Sequence, residues 1–230
     1  EQFASVADFQ EVLDFWFGPA GSPEYGRPRE VWFKKSAAFD AEIRTRFLDL
    51  HRQAAGGRIE AWNAAAESLL ALIVVLDQFP RNLYRGSNRA FATDAQALAA
   101  AQLAVARGFD RALVPVQRWF VYLPFEHAED LAMQHRCLGL FEDLRSDPDS
   151  AGSIDYARRH FQIIARFGRF PHRNAVLGRV STPEEIESFA ELLKKTAPKM
   201  KSADREKVVA ALKKILGARD SGLGNRAPVF

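Results

Sequence analysis

At 230 residues with a formal net charge of +3, the chain is long enough for one large domain or two small ones. Hydrophobic residues make up 47% and aromatics 11%, enough for a sizeable core, and no apolar run approaches the roughly 18 residues of a membrane span. The excess charge sits at one end: residues 184–230 carry 10 Lys+Arg against 7 Asp+Glu, leaving 22 of each sign before them, so a nucleic-acid footprint is not expected.

A single cysteine, Cys137, lies in an apolar helical pattern and reads as a small buried hydrophobe. One free thiol suits a reducing compartment, and the first residues, EQFASVADF, do not read as a signal peptide; a cytoplasmic protein with no membrane span is expected. No Cys/His spacing resembles a zinc site, and phosphate-cradling Gly-rich loops and GxSxG elbows are absent, so no metal or cofactor is expected.

Taken in order, Asp8 caps a first helix whose Phe9, Val12, Leu13 and Trp16 share one face. Gly18-Pro19 stops it, and a Pro/Gly-rich loop leads to Trp32 and Phe33. A second helix runs from about Ser36 to Ala55, with Phe39, Ile43, Phe47 and Leu50 on one side. The third spans about Glu60 to Gln78, and its run from Leu69 to Leu76 is apolar all round, which places it at the centre. Pro80 is expected to end it. Thr93-Asp94-Ala95-Gln96 reads as a capping box for an alanine-rich helix to about Arg107. A short helix from Pro115, interrupted at Pro124, and a longer one from about Glu126 to Leu144 follow. Ser153 or Asp155 starts the next, ending at Gly168. Thr182-Pro183-Glu184-Glu185 is a strong helix start, and a last helix is expected from Ser202 to Gly217. No segment alternates as a strand would. The expected fold class is all-α, about nine helices in antiparallel pairs.

Three polar clusters follow helix ends. The first is Asp77, Arg81, Asn82, Arg85 and Arg89, spilling from the central helix. Its arginines either cap freed carbonyls or cradle a phosphate or carboxylate. The second is Glu126, His127 and Asp130: on one helix, Asp130 is four residues from Glu126 and three from His127, within reach of a base oriented by a carboxylate. The third is His160, Arg166, Arg169, His172, Arg173 and Asn174, around a second Phe-Pro corner. Convergence of the three ends would build a small-ligand pocket.

The phrases VLDFWFGP (from Val12), VWFKKSAAFD (from Val31), LDQFPRNLYRG (from Leu76), YLPFEHAEDL (from Tyr122) and FGRFPHRNAVLGR (from Phe167) with STPEE (from Ser181) together resemble the bacterial "domain of unknown function 924" family. The resemblance covers about residues 7–186. It implies one all-helical, tetratricopeptide-like domain and no established activity, with a lysine-rich extension over 187–230 outside it. Its signature positions include Asp77, Gln78, Phe79, Pro80, Arg81 and Asn82, then Glu126, His127 and Asp130, then Arg169, Phe170, Pro171, His172, Arg173 and Asn174.

The leading expectation is a domain that binds a small anionic molecule in an Arg/His/Asn-lined pocket. Two alternatives stand beside it: a hydrolase or transferase with a Glu/His/Asp acid–base group, and a peptide-binding interaction module. The lysine-faced helix from Ser202 is a candidate for self-association.

Overall fold

The computed structural model describes residues 8–196, and the chain divides after Gly168 into two compact units. Among the described residues there are eight helices, joined by 3-10 turns, and no strand. The ninth expected helix, from Ser202, and the self-association proposed for it lie outside them. No helix among the described residues is long and apolar enough to cross a membrane.

The first unit contains seven helices. Asp8 opens α1 (Phe9–Phe17) by accepting the Gln10 N–H, and Gly18, at φ 82°, closes it. A Cβ at Gly18 would lie 2.8 Å from the Ser22 hydroxyl as well as strain that backbone. Ser36 caps α2 (Ala37–Ala55) through the Phe39 N–H, and Phe39, Ile43, Phe47 and Leu50 are all buried.

The central element, α3, is one continuous helical span of three parts: Ala66–Ile73, a π-turn at Val74–Gln78, and Phe79–Leu83. Every residue from Ser68 to Pro80 is buried. Consistent with that, α3 packs against α1, α2, α4 (Asp94–Ala106) and α5 (Pro115–Glu126). Helices α6 (Leu131–Glu142) and α7 (Ala151–Phe167) complete the unit, α6 packing on both α5 and α7. An aromatic cluster seals α1 against α2, α3 and α5. Trp16 meets Phe79 and Phe120 edge-on at 5.7 and 5.6 Å, and Phe47 stacks on Phe79 at 5.0 Å.

Pro80 was expected to end the central helix, and it does not. A proline lacks the N–H that would bond the carbonyl four residues back, and its ring crowds that carbonyl. The chain widens instead: the Phe79 N–H reaches the Val74 carbonyl, five residues back, and the helix continues to Leu83. The carbonyls of this stretch are taken up by side chains, three from outside it and one, Arg81, from within. The Thr93 hydroxyl donates to Leu76 O at 2.6 Å, the carbonyl that Pro80 leaves without its helical partner. His51 Nδ1 donates to Val75 O at 3.1 Å, and the Arg81 guanidinium donates to Asp77 O. Arg44 donates to Leu83 O at the end of the span. Buried carbonyls are rarely left unpaired, so the π-turn holds because these donors exist.

Three further expectations change. Thr93 stands at the start of α4 but makes no capping bond there, because its hydroxyl is on Leu76, and Gln96 donates to Ala55 O instead of completing a box. The third helix begins at Ala66, after a 3-10 turn at Glu60–Ala64. Pro124 lies inside the last turn of α5 rather than interrupting it, since a proline there removes only one internal bond.

In the second unit, α8 (Pro183–Thr196) starts as the sequence signalled: Glu185 N–H donates to the Thr182 hydroxyl, and Thr182 N–H donates to the Glu185 carboxylate. Thr93→Val is expected to lower stability by about 1–3 kcal/mol, the cost of leaving Leu76 O unpaired in the core, while Thr93→Ser keeps most of it. Urea unfolding of the two variants measures the difference.

Candidate functional site

The first two clusters meet. Asp77, in the π-turn, is wholly buried, and His127, which caps the end of α5, turns Nδ1 onto Asp77 Oδ1 at 2.7 Å. Fifty residues of chain separate them. Because a carboxylate only accepts, that contact puts a proton on Nδ1 in the neutral and the charged ring alike, and in the neutral ring the lone pair is on Nε2. The imidazole is 14% exposed, so it stands between the buried carboxylate and the outside.

The other Asp77 oxygen accepts from the Gln78 amide, and Arg81 lies 3.4 Å from Oδ1. Burial alone would raise the Asp77 carboxyl; the charges of Arg81 and His127, with hydrogen bonds from His127 and Gln78, outweigh it and hold the group well below the usual carboxylate range. Arg81 is in turn gripped by Asp94 in a two-pronged pair at 2.9 and 3.1 Å. Desolvation opposes its charge, and the carboxylates of Asp77 and Asp94 raise its pKa in spite of that.

A second carboxylate–imidazole pair starts one residue away. Glu126, buried at the end of α5, meets His160 Nδ1 of α7 at 3.0 Å, and that nitrogen also lies 2.9 Å from Tyr156 O. The turn between α5 and α6 is clamped by Gln134, wholly buried, whose amide donates to Glu126 O at 2.7 Å and Ala128 O at 2.9 Å.

The partner expected for His127 was Asp130 on the same helix. The structure ends α5 at Glu126 and makes Asp130 the cap of α6, where it accepts the Met133 N–H at 2.9 Å. Glu126 and Asp130 therefore do not share a helix face. His127 takes its carboxylate from the central helix instead, a pairing that spacing within one segment does not reveal.

The remaining residues of the first cluster face α2. Asn82 and Arg85 both donate to Asp40, at 2.8 Å for the amide and 3.0 and 2.8 Å for the guanidinium. Burial opposes the Asp40 charge, but bonds from Arg85 and Asn82 prevail and lower its pKa. Arg89 lies over the Tyr84 ring at 3.9 Å.

Of the third cluster, His160 and Arg166 lie on α7 of the first unit, and the other four residues belong to the second unit, where Glu185 organises the polar contacts. Arg169 reaches it with two nitrogens at 2.7 and 2.9 Å, and Asn174 donates to it at 3.1 Å. The Arg169 bonds lead in holding the Glu185 carboxyl below its ordinary range, against the effect of burial. Arg173 is buried over the Phe170 ring at 4.6 Å, and His172 is exposed. The two Phe-Pro corners differ in structure: Pro80 lies within a helix, whereas Pro171 opens a 3-10 turn after an extended Phe170.

Sequence reading missed the acids that engage these groups. Asp40 is in the first turn of α2 and Asp94 in that of α4, where neither stands out, and Glu185 reads only as part of a helix start. Among the described residues no three His, Cys, Asp or Glu side chains gather as a metal set. Cys137 is buried, and desolvation, with Glu126 nearby, pushes its thiol far up and away from thiolate chemistry.

Fold and site together define an all-helical protein whose central helix, widened at a π-turn, carries a buried carboxylate paired with an imidazole from the end of α5. The chain belongs to the family described as bacterial protein of unknown function (DUF924), whose model matches residues 12–192. A solved protein of unknown function from Agrobacterium tumefaciens is similar to it, at 43% identity and a TM-score of 0.70, over 80% of this chain and 97% of that one. No curated protein matches the chain.

Because Asp77 is held below its usual range, its contribution to stability is complete above the unfolded value near 4 and is lost as pH falls through the folded value. The stability gap between wild type and Asp77→Asn should therefore be widest near neutrality and narrow steadily below about pH 4. Urea titrations across that range test this; a gap constant with pH contradicts it.

Proposed function

We propose that the chain is an acid–base catalyst of the hydrolase or transferase type, with His127 as the group that exchanges a proton with a small substrate or an attacking water. The observation that carries this reading is the 2.7 Å contact between His127 Nδ1 and the buried Asp77 carboxylate, with the ring part exposed. A carboxylate so placed fixes the ring tautomer and stabilises the charge the ring gains on taking a proton. Asp77 is the positioning residue, with Arg81, Gln78 and the Gln134-clamped turn keeping the pair in register. Glu126 and His160 form a second pair beside it, suited to passing a proton onward.

Binding of a small anionic ligand without turnover has less support from the geometry. Arg81, Asn82 and Arg85 already face Asp94 and Asp40, and Arg169 and Asn174 face Glu185, so an anion would have to compete with those carboxylates.

The test is a screen of small carboxylic and phosphoric esters and amides with the full chain. Where a substrate turns over, His127→Ala should lower kcat by at least about 100-fold with helical content unchanged, and Asp77→Asn should also lower kcat. No turnover across the panel, or turnover that survives His127→Ala, overturns the proposal.

A further inference from the structure

Apart from the Asp77–His127 centre, the first unit contains a cavity of about 330 Å³ between α3, α4 and the turn that follows α2. Its floor is apolar: Leu72 and Leu76 come from α3, and Ala100 and Leu103 from α4. Its remaining wall includes Glu60, Asn63 and Gln96. Glu60 is the one charged side chain in that lining, it is exposed, and among the described residues no ion pair or hydrogen bond engages its carboxylate. Gln96 is fixed by its bond to Ala55 O at 3.0 Å. Arg107, which touches this wall, is already engaged: it donates to the main-chain oxygen of Asn63 at 2.8 Å and lies over the Phe109 ring at 5.8 Å.

A volume of this order takes a small molecule, and an apolar floor under a single unpaired carboxylate selects for one chemistry. We propose that this cavity binds a small protonated amine with an apolar tail, its ammonium at Glu60 and its hydrocarbon over Leu72, Leu76 and Leu103. The hydrocarbon supplies most of the affinity, because each methylene moved out of water tightens binding about fourfold. The ammonium supplies selectivity, and at an exposed carboxylate it is worth only about threefold. A carboxylate at the same end of the ligand is repelled by Glu60. Nothing in this depends on the role of His127.

The full chain is titrated with pentylamine, hexylamine, hexanol and hexanoate, followed by calorimetry and by amide chemical shifts. Hexylamine should bind about fourfold tighter than pentylamine and about threefold tighter than hexanol, with hexanoate weakest. The shifts should centre on α3 and α4 at the cavity. Glu60→Gln should bring hexylamine down to hexanol while hexanol is unchanged. Ala99→Leu, at an exposed position in the lining, should abolish binding of all four. Both variants alter exposed residues, so each is expected to fold. No binding, shifts centred elsewhere, equal affinity for hexylamine and hexanol, or binding untouched by Ala99→Leu overturns the proposal.

Discussion

The constraint on which the structure depends is Pro80 within the most deeply buried helix. A proline at a solvent-facing kink can leave its orphaned carbonyl to water, but here every residue from Ser68 to Pro80 is buried. The chain meets the constraint with a π-turn and with donors from three directions. α2 supplies His51 and Arg44, the start of α4 supplies Thr93, and the helix itself supplies Arg81. Asp40, Arg44, Phe47 and His51 recur along one side of α2 at helical spacing, so the packing face and the donor face of that helix coincide. The hydrogen-bond demand of one residue thereby fixes how α2 and α4 meet α3.

The same turn places Asp77 where no solvent reaches it. An isolated carboxylate there would be costly, and it is tolerated because Arg81, Gln78 and His127 surround it. The arrangement couples fold to site. The π-turn that the proline imposes carries the carboxylate, and the carboxylate orients the imidazole at the end of α5. π-turns often accompany functional positions for this reason, since they turn out side chains and carbonyls that a regular helix would align.

Much of this was legible in the residues. The apolar run before Asp77 marked the central helix, the Ser36 and Thr182 starts were where their side chains said, and the prominence of Asp77, Arg81, Glu126 and His127 came from their place at helix ends. What was hidden is long-range. Pro80 reads as a stop in any local window, because the donors that let the helix continue lie on α2 and α4. Thr93 and Gln96 fit a local capping pattern, yet a buried orphan carbonyl outcompeted the exposed helix start for the hydroxyl. His127 had a carboxylate three residues away in sequence and took one on another helix. The balanced charge of residues 1–183 has its counterpart in the pairs that neutralise the arginines, Arg81 with Asp94 and Arg85 with Asp40.

The central claim is that the π-turn holds an ionised Asp77 that fixes the His127 ring with a proton on Nδ1. Nitrogen-15 ring spectra of the histidine side chains, assigned by comparison with His127→Ala, report this directly. At alkaline pH the account predicts a protonated Nδ1 and a lone-pair Nε2 for His127, with Nε2 the nitrogen that gains the proton on acidification, and loss of that single tautomer in Asp77→Asn. A His127 ring that carries its proton on Nε2, or that populates both tautomers equally in the wild-type chain, contradicts it.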